Sequence, residues 1–164
     1  MSVKIPGLIN KYLLVKPSLR MPLFELPMMI VIGIVGEIFS WTKIPLSPYS
    51  NIVGGIIIIG GFVFHVYCHR VHKQAHDQSH QIDEIVTTGV FSRIRHPIYL
   101  SLIIIYFGLM IAWGVVWMFI PFLLLVALTV ITAIQEEELL LQRFGPQYEQ
   151  YMKETPWRLI PRLF

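Results

Sequence analysis

The chain has 164 residues, of which 55% are hydrophobic and 14% charged, with a net charge of +3 and a mean hydropathy of +0.63. So apolar a composition excludes an ordinary soluble domain, and the charges gather between long uncharged runs, the pattern of a polytopic membrane protein. The small positive charge suits anionic lipid headgroups but is too weak to imply nucleic acid. A lone cysteine, Cys68, excludes an internal disulfide framework and a four-cysteine metal site.

Residues 1–20 mix Ile, Leu and Tyr with four basic residues and two prolines. This reads as a short interfacial segment or an unstructured tail, not as the apolar stretch of a cleavable signal peptide. A first span is predicted from about Pro22 to Trp41, broken only by Glu25 and Glu37, and Thr42 to Ser50 forms a loop around Pro45 and Pro48. The second span starts near Asn51 and is apolar through Tyr67. Gly54, Gly55, Gly60 and Gly61 give it small surfaces for a neighbouring helix. No Gly or Pro interrupts Cys68 to Glu84, so this helix is expected to project from the membrane before a turn at Thr87-Thr88-Gly89.

The third span, Pro97 to Trp113, covers only about 25 Å at ~1.5 Å per residue, short of a ~30 Å hydrocarbon core. After a Trp113-Gly114 break the fourth runs from Val115 to about Phe144, with Pro121 in its first turns and a Gly145-Pro146 stop. Gln147 to Lys153 reads as a short surface helix. The third and fourth spans should form an antiparallel hairpin. Twelve of the thirteen Lys and Arg residues then fall on one side, with only Lys43 in the opposite loops. The positive-inside rule places that side, and both termini, in the cytoplasm. The predicted fold is an all-α polytopic integral membrane helical bundle of about four transmembrane helices, five at most, forming a single domain over residues 1–164. Residues 1–82 would be scaffold and 83–161 the functional half.

Three groups of residues stand out. His65, His69, His72, His76 and His80 recur at helical spacing and would share one helix face. Imidazoles one turn apart can share a transition metal; equally, they form a polar stripe lining a cleft or meeting headgroups. No HxxHH box follows and Asp77 is the one nearby carboxylate on this stretch, so no metal is assigned. Glu136, Glu137 and Glu138 end an apolar helix, where acids oppose the helix dipole; a cationic ligand would compensate. Successive helical residues point about 100° apart, so at most two of them face one site, most naturally Glu136 with Glu137 at its edge. In Arg95-His96-Pro97, Pro97 opens a helix. The free N–H groups of its first turn, beside Arg95 and His96, form an anion pocket. An anion pocket facing carboxylates suits a zwitterionic small molecule at the membrane surface.

As a set, Thr88-Gly89-Val90-Phe91, Arg95-His96-Pro97-x-Tyr99, Glu136-Glu137, Phe144-Gly145-x-x-Tyr148-x-x-Tyr151 and Pro156 resemble the isoprenylcysteine carboxyl methyltransferase and phospholipid methyltransferase family of integral membrane enzymes. The resemblance covers about residues 83–161; the first half matches only as hydrophobic spans. It implies S-adenosyl-L-methionine as methyl donor, in a cytoplasm-facing cofactor pocket built from Glu84, Ile85, Val86, Phe91, His96, Pro97, Ile98, Tyr99, Glu136 and Glu137. Glu136 would hold the donor's amino group and Arg95 a carboxylate of cofactor or substrate, with Arg95, Tyr99 and Glu136 as the catalytic set. The implied reaction is direct displacement, the carboxylate of a prenylated cysteine attacking the sulfonium methyl group to give a methyl ester. The substrate would enter from the bilayer, with membrane lipids as the other partners. The eukaryotic enzymes carry a substrate-associated arginine one turn before the key glutamate. Thr132 stands there in this chain, leaving Arg95, Arg143 or Arg158 to replace it. Alternatives are a phospholipid N-methyltransferase, an NADPH-dependent sterol-type reductase, and a histidine-rich membrane metal-binding or transport protein.

Overall fold

Residues 20–46, 48–72 and 84–164 are described by the computed structural model. The expected amino-terminal interfacial segment, and His76 and His80 of the histidine series, lie outside them. A π-helical turn, Met21–Glu25, leads into α1 (Leu26–Ile38); α2 (Tyr49–Val71), α3 (Pro97–Trp113), α4 (Phe119–Phe144) and α5 (Pro146–Glu154) follow. Short 3-10 turns at Gly89–Ser92 and Val116–Met118 precede α3 and α4. Among the described residues there is no strand, only an isolated antiparallel bridge between Lys43 and Val115. Met21–Ile38, Tyr49–Val71 and Val116–Phe144 are long and apolar enough to cross a membrane, and Pro97–Trp113 is a shorter apolar helix. The chain is thus an all-helical polytopic membrane bundle.

Local chemistry sets the element ends. Proline occupies the first turns of α1, α3 and α5, where its missing N–H has no partner to lose. Gly114 closes α3 in the left-handed conformation, φ 62°, and Gly145 stops α4 at φ 51°. The second helix is shorter than its sequence suggests. It ends at Val71, and His72 has left helical geometry with ψ 89°.

α2 and α3 pack antiparallel along a seam of small residues. A methyl group on Gly108 would sit 2.9 Å from Ile58 N and 3.1 Å from Gly54 O, and one on Gly61 would sit 2.9 Å from Ile105 Cγ1. Gly54 is closed in the same way by the Ala112 backbone, while Gly55 and Gly60 have nothing within 4 Å. Two of the four glycines therefore admit a neighbouring helix and two face lipid. α1 lies over the α3–α4 hairpin: Gly33 lets the Trp113 ring settle on its backbone and Gly36 meets Val115. The buried core joins Met29, Leu102, Tyr106, Met110, Val115, Met118, Leu125 and Ala133. Apolar side chains such as Ile52, Ile56, Ile59, Val63, Ile120, Leu123 and Leu124 point outward, where hydrocarbon replaces water as the solvent.

The α1–α2 and α3–α4 loops lie at one end of the bundle and are hydrogen-bonded together. Ile44 N–H donates to Gly114 O at 2.7 Å, and Val116 N–H to Thr42 O at 2.9 Å. The start of α1, the turn into α3 and the end of α4 consequently gather at the other end.

Candidate active site

The turn before α3 is fixed by the carboxy-terminal strap, residues 155–164. Arg95 N–H donates to Trp157 O at 2.9 Å and His96 N–H to Arg158 O at 2.9 Å, so side chains 95 and 96 are aimed at the end of α4. The strap is itself anchored: Thr155 N–H donates to Tyr151 O, and the Tyr151 hydroxyl donates to Phe91 O at 2.7 Å. Burial, chiefly, pushes the Tyr148 and Tyr151 phenols well above their ordinary range, and both stay neutral.

Glu137 is the hub of the cluster. Its Oε1 accepts from Arg95 Nε at 2.7 Å, and its Oε2 from Arg158 Nε at 2.8 Å. Arg95 also donates from Nη1 to Thr155 O at 2.7 Å. The next contact explains why two consecutive glutamates are present. His96 has Nε2 3.2 Å from Glu137 Oε1 and Nδ1 3.5 Å from Glu136 Oε2, so each imidazole nitrogen meets a carboxylate. Burial by itself would depress the His96 pKa, but the hydrogen bonds and charges of Glu136 and Glu137 outweigh it and raise the value above 6.5. The ring of His96 stacks on Tyr99 with centroids 5.5 Å apart, and the Tyr99 hydroxyl donates to Glu136. Glu137, expected at the edge, is the more deeply buried of the pair; Glu136 keeps partial access and Glu138 faces outward.

A second polar cluster lies deeper between the helices, and neither Arg20 nor Tyr106 stands out in the sequence. Arg20 is fully buried, with Nε donating to Glu25 Oε1 at 2.7 Å and Nη2 to Thr132 Oγ1 at 3.2 Å. The Tyr106 hydroxyl donates to the other oxygen of Glu25. The i→i+5 hydrogen bonding of the π-helical turn brings residues 20 and 25 to one side. Thr132 lies one turn before Glu136, and Tyr106 lies two turns after Tyr99 on the same face of α3. A guanidinium thus stands beside Thr132, supplied by residue 20 rather than by Arg95, Arg143 or Arg158. A signal was available: an ionisable residue inside a membrane span, here Glu25, needs a partner.

The remaining expected residues are placed as follows. Phe91 and Pro97 are buried, Ile98, Ile85 and Val86 half-buried, and Glu84 exposed. The Phe91 ring packs edge-on to His72 at 5.4 Å. His65 reaches across the seam to Ser101 Oγ at 2.8 Å and meets the His69 ring at 4.4 Å. Ser101 donates to Ile98 O at 2.5 Å, so its hydroxyl accepts from His65 Nδ1–H. Among the described residues no three His, Cys, Asp or Glu side chains are arranged to hold a metal ion. An open apolar groove of about 480 Å³ lies at the opposite end, lined by Ile32, Trp41, Trp117, Ile120 and Pro121. It holds no chemistry.

Fold and site together define a helical membrane protein with a buried, mixed-charge cluster at one end of its bundle. Residues 49–147, more than half of the chain, match the family model described as phospholipid methyltransferase. The chain belongs to that family, part of the superfamily of isoprenylcysteine carboxyl and phospholipid methyltransferases, and is a membrane methyltransferase. The match takes in α2, α3 and α4; most of α5 and the whole strap lie beyond it. No curated protein matches the chain.

Proposed function

We propose that this methyltransferase uses S-adenosyl-L-methionine to esterify the C-terminal carboxylate of a prenylated cysteine at the cytoplasmic face of the membrane. The observation that carries this reading is the cluster in which Arg95 and Arg158 hold Glu137 while His96 bridges Glu137 and the partly accessible Glu136. Its charges complement a methionyl group, which bears one ammonium and one carboxylate. The donor set therefore fits S-adenosyl-L-methionine, which when bound supplies an electrophilic methyl group on a sulfonium sulfur. Glu136, steadied by His96 and Tyr99, would hold the ammonium. Phe91, Pro97, Ile98 and Tyr99, with Glu84, Ile85 and Val86 before them, would form the surrounding wall.

Arg20 beside Thr132 is buried and already paired with Glu25, so this second cluster orders the bundle one turn below Glu136 and does not by itself choose the acceptor. A carboxylate is ionised at neutral pH, so the protein's task is to position it and exclude water. The prenyl chain would approach laterally from the bilayer. The distribution of basic residues, twelve of thirteen on one side, supports a cytoplasmic position for this end of the bundle.

The family's description favours a second reading, an amine headgroup of a phospholipid as acceptor. That reaction needs a base for the released proton, and His72, which packs against Phe91 at 5.4 Å, offers an imidazole on the α2 side. Calorimetry of S-adenosylhomocysteine with detergent-purified protein tests the donor. Micromolar binding is expected, weakened at least about tenfold in Glu136→Gln by loss of a charge-assisted hydrogen bond. No binding to folded protein would overturn the reading. Methylation assays with a prenylcysteine analogue and with phosphatidylethanolamine then separate the two acceptors.

A further inference from the structure

Arg95 is the obvious cation for the carboxylate of the methyl donor, yet the geometry commits it elsewhere. Its side chain is 5% exposed and ties Glu137 to the backbone of Thr155. Arg158 is placed differently. Its side chain is 29% exposed, it touches Glu137 through Nε at 2.8 Å, and its guanidinium lies 5.3 Å from the face of the Phe164 ring. Its backbone is bolted to the turn, since His96 N–H donates to Arg158 O. The end of the strap is folded back, with Leu159 and Ile160 N–H both donating to Phe164 O at 2.9 and 3.0 Å, which holds the aromatic ring against Arg158.

An arginine that binds one carboxylate through Nε still presents two terminal amino groups in a fixed planar fork. Glu137, held from its other oxygen by Arg95, keeps its position if the Arg158 fork turns. We propose that Arg158 is a cofactor-binding residue, receiving the carboxylate of an S-adenosyl ligand while Glu136 receives the ammonium. This rests on the methyl-donor reading above. It also gives the strap, which lies beyond the family match, a direct part in the site: Arg95 builds the frame and Arg158 meets the ligand.

The test is calorimetry on the full chain with two ligands, S-adenosylhomocysteine and 5′-methylthioadenosine, which keeps the nucleoside and thioether but lacks the amino-acid group. Arg158→Gln is expected to weaken S-adenosylhomocysteine at least about tenfold and leave methylthioadenosine unchanged. Equal losses for both ligands would show a merely structural role and overturn the proposal, as would unchanged affinity for S-adenosylhomocysteine. Should Arg158→Gln fail to fold, Arg158→Lys keeps the charge but loses the fork, and the same selective loss is expected at smaller size. Failure of the wild-type protein to bind either ligand would instead refute the donor site itself.

Discussion

His96 lies between two carboxylates, and this makes the site sensitive to pH in a definite direction. Its pKa in the folded protein is raised above the ordinary 6.5 by Glu136 and Glu137. A group whose folded value is raised stabilises the fold fully below its unfolded pKa and loses that contribution as pH climbs through the folded value. The thermal midpoint of detergent-solubilised protein should therefore fall as pH rises from about 6.5 through the raised pKa. His96→Gln should flatten that part of the profile; a wild-type profile that rises over the same window would contradict the pairing. At this scale much of the site was legible. Arg95, His96, Tyr99, Glu136 and Glu137 are close in sequence to the helix ends that bring them together, and their spacing is enough to pair them. Arg20 was not, because its partner Thr132 is 112 residues away and only tertiary packing sets that distance. The order of the glutamates was also hidden: which one turns inward depends on where α4 is rotated, and Arg95 and Arg158 pin that rotation through Glu137.

Among the elements, the α2–α3 seam shows how a repeated residue divides into two roles. Gly54, Gly61 and Gly108 bring two backbones into contact, whereas Gly55 and Gly60 meet open space. Gly108→Val or Gly54→Val should overpack the seam and cost about 1–3 kcal/mol or more. Gly60→Ala and Gly55→Ala should leave the melting temperature unchanged or raise it, since alanine is the better helix former. Thermal unfolding in detergent compares the two sets, and equal losses in both would mean that the seam is misplaced. The sequence alone marks all four α2 glycines as packing surface because periodicity identifies a helix without fixing its rotation. The spans themselves were legible from apolar length, and α3 and α4 from Pro97, Gly114 and Gly145. The end of α2 was not. Nothing between Cys68 and Glu84 forbids helix, yet the helix stops at Val71, and His72 turns out of it to pack against Phe91.

The whole molecule has two unlike ends, and its proposed orientation is open to a direct measurement. Lys43 is half exposed and paired with Glu37 at the end away from the site, while Arg143 lies exposed near the end of α4. In a Cys68→Ser background, Lys43→Cys should react with a membrane-impermeant maleimide applied to intact cells. Arg143→Cys should react only after the membrane is opened; the reverse pattern would invert the orientation. The ends also differ in what holds them. At the Lys43 end the loops are joined by main-chain hydrogen bonds, Ile44 to Gly114 and Val116 to Thr42; at the other end main-chain bonds join the turn before α3 to the strap, but α4 is tied to both by side-chain ion pairs through Glu136 and Glu137. Mechanically, the joined loops act as a fulcrum. Over a helix of about 25 Å, a tilt of about 5° at the fulcrum moves the far end by about 2 Å. Small angular adjustments therefore become ångström-scale changes in the room around Glu136, and the contacts that must yield to them are side-chain pairs that can form again.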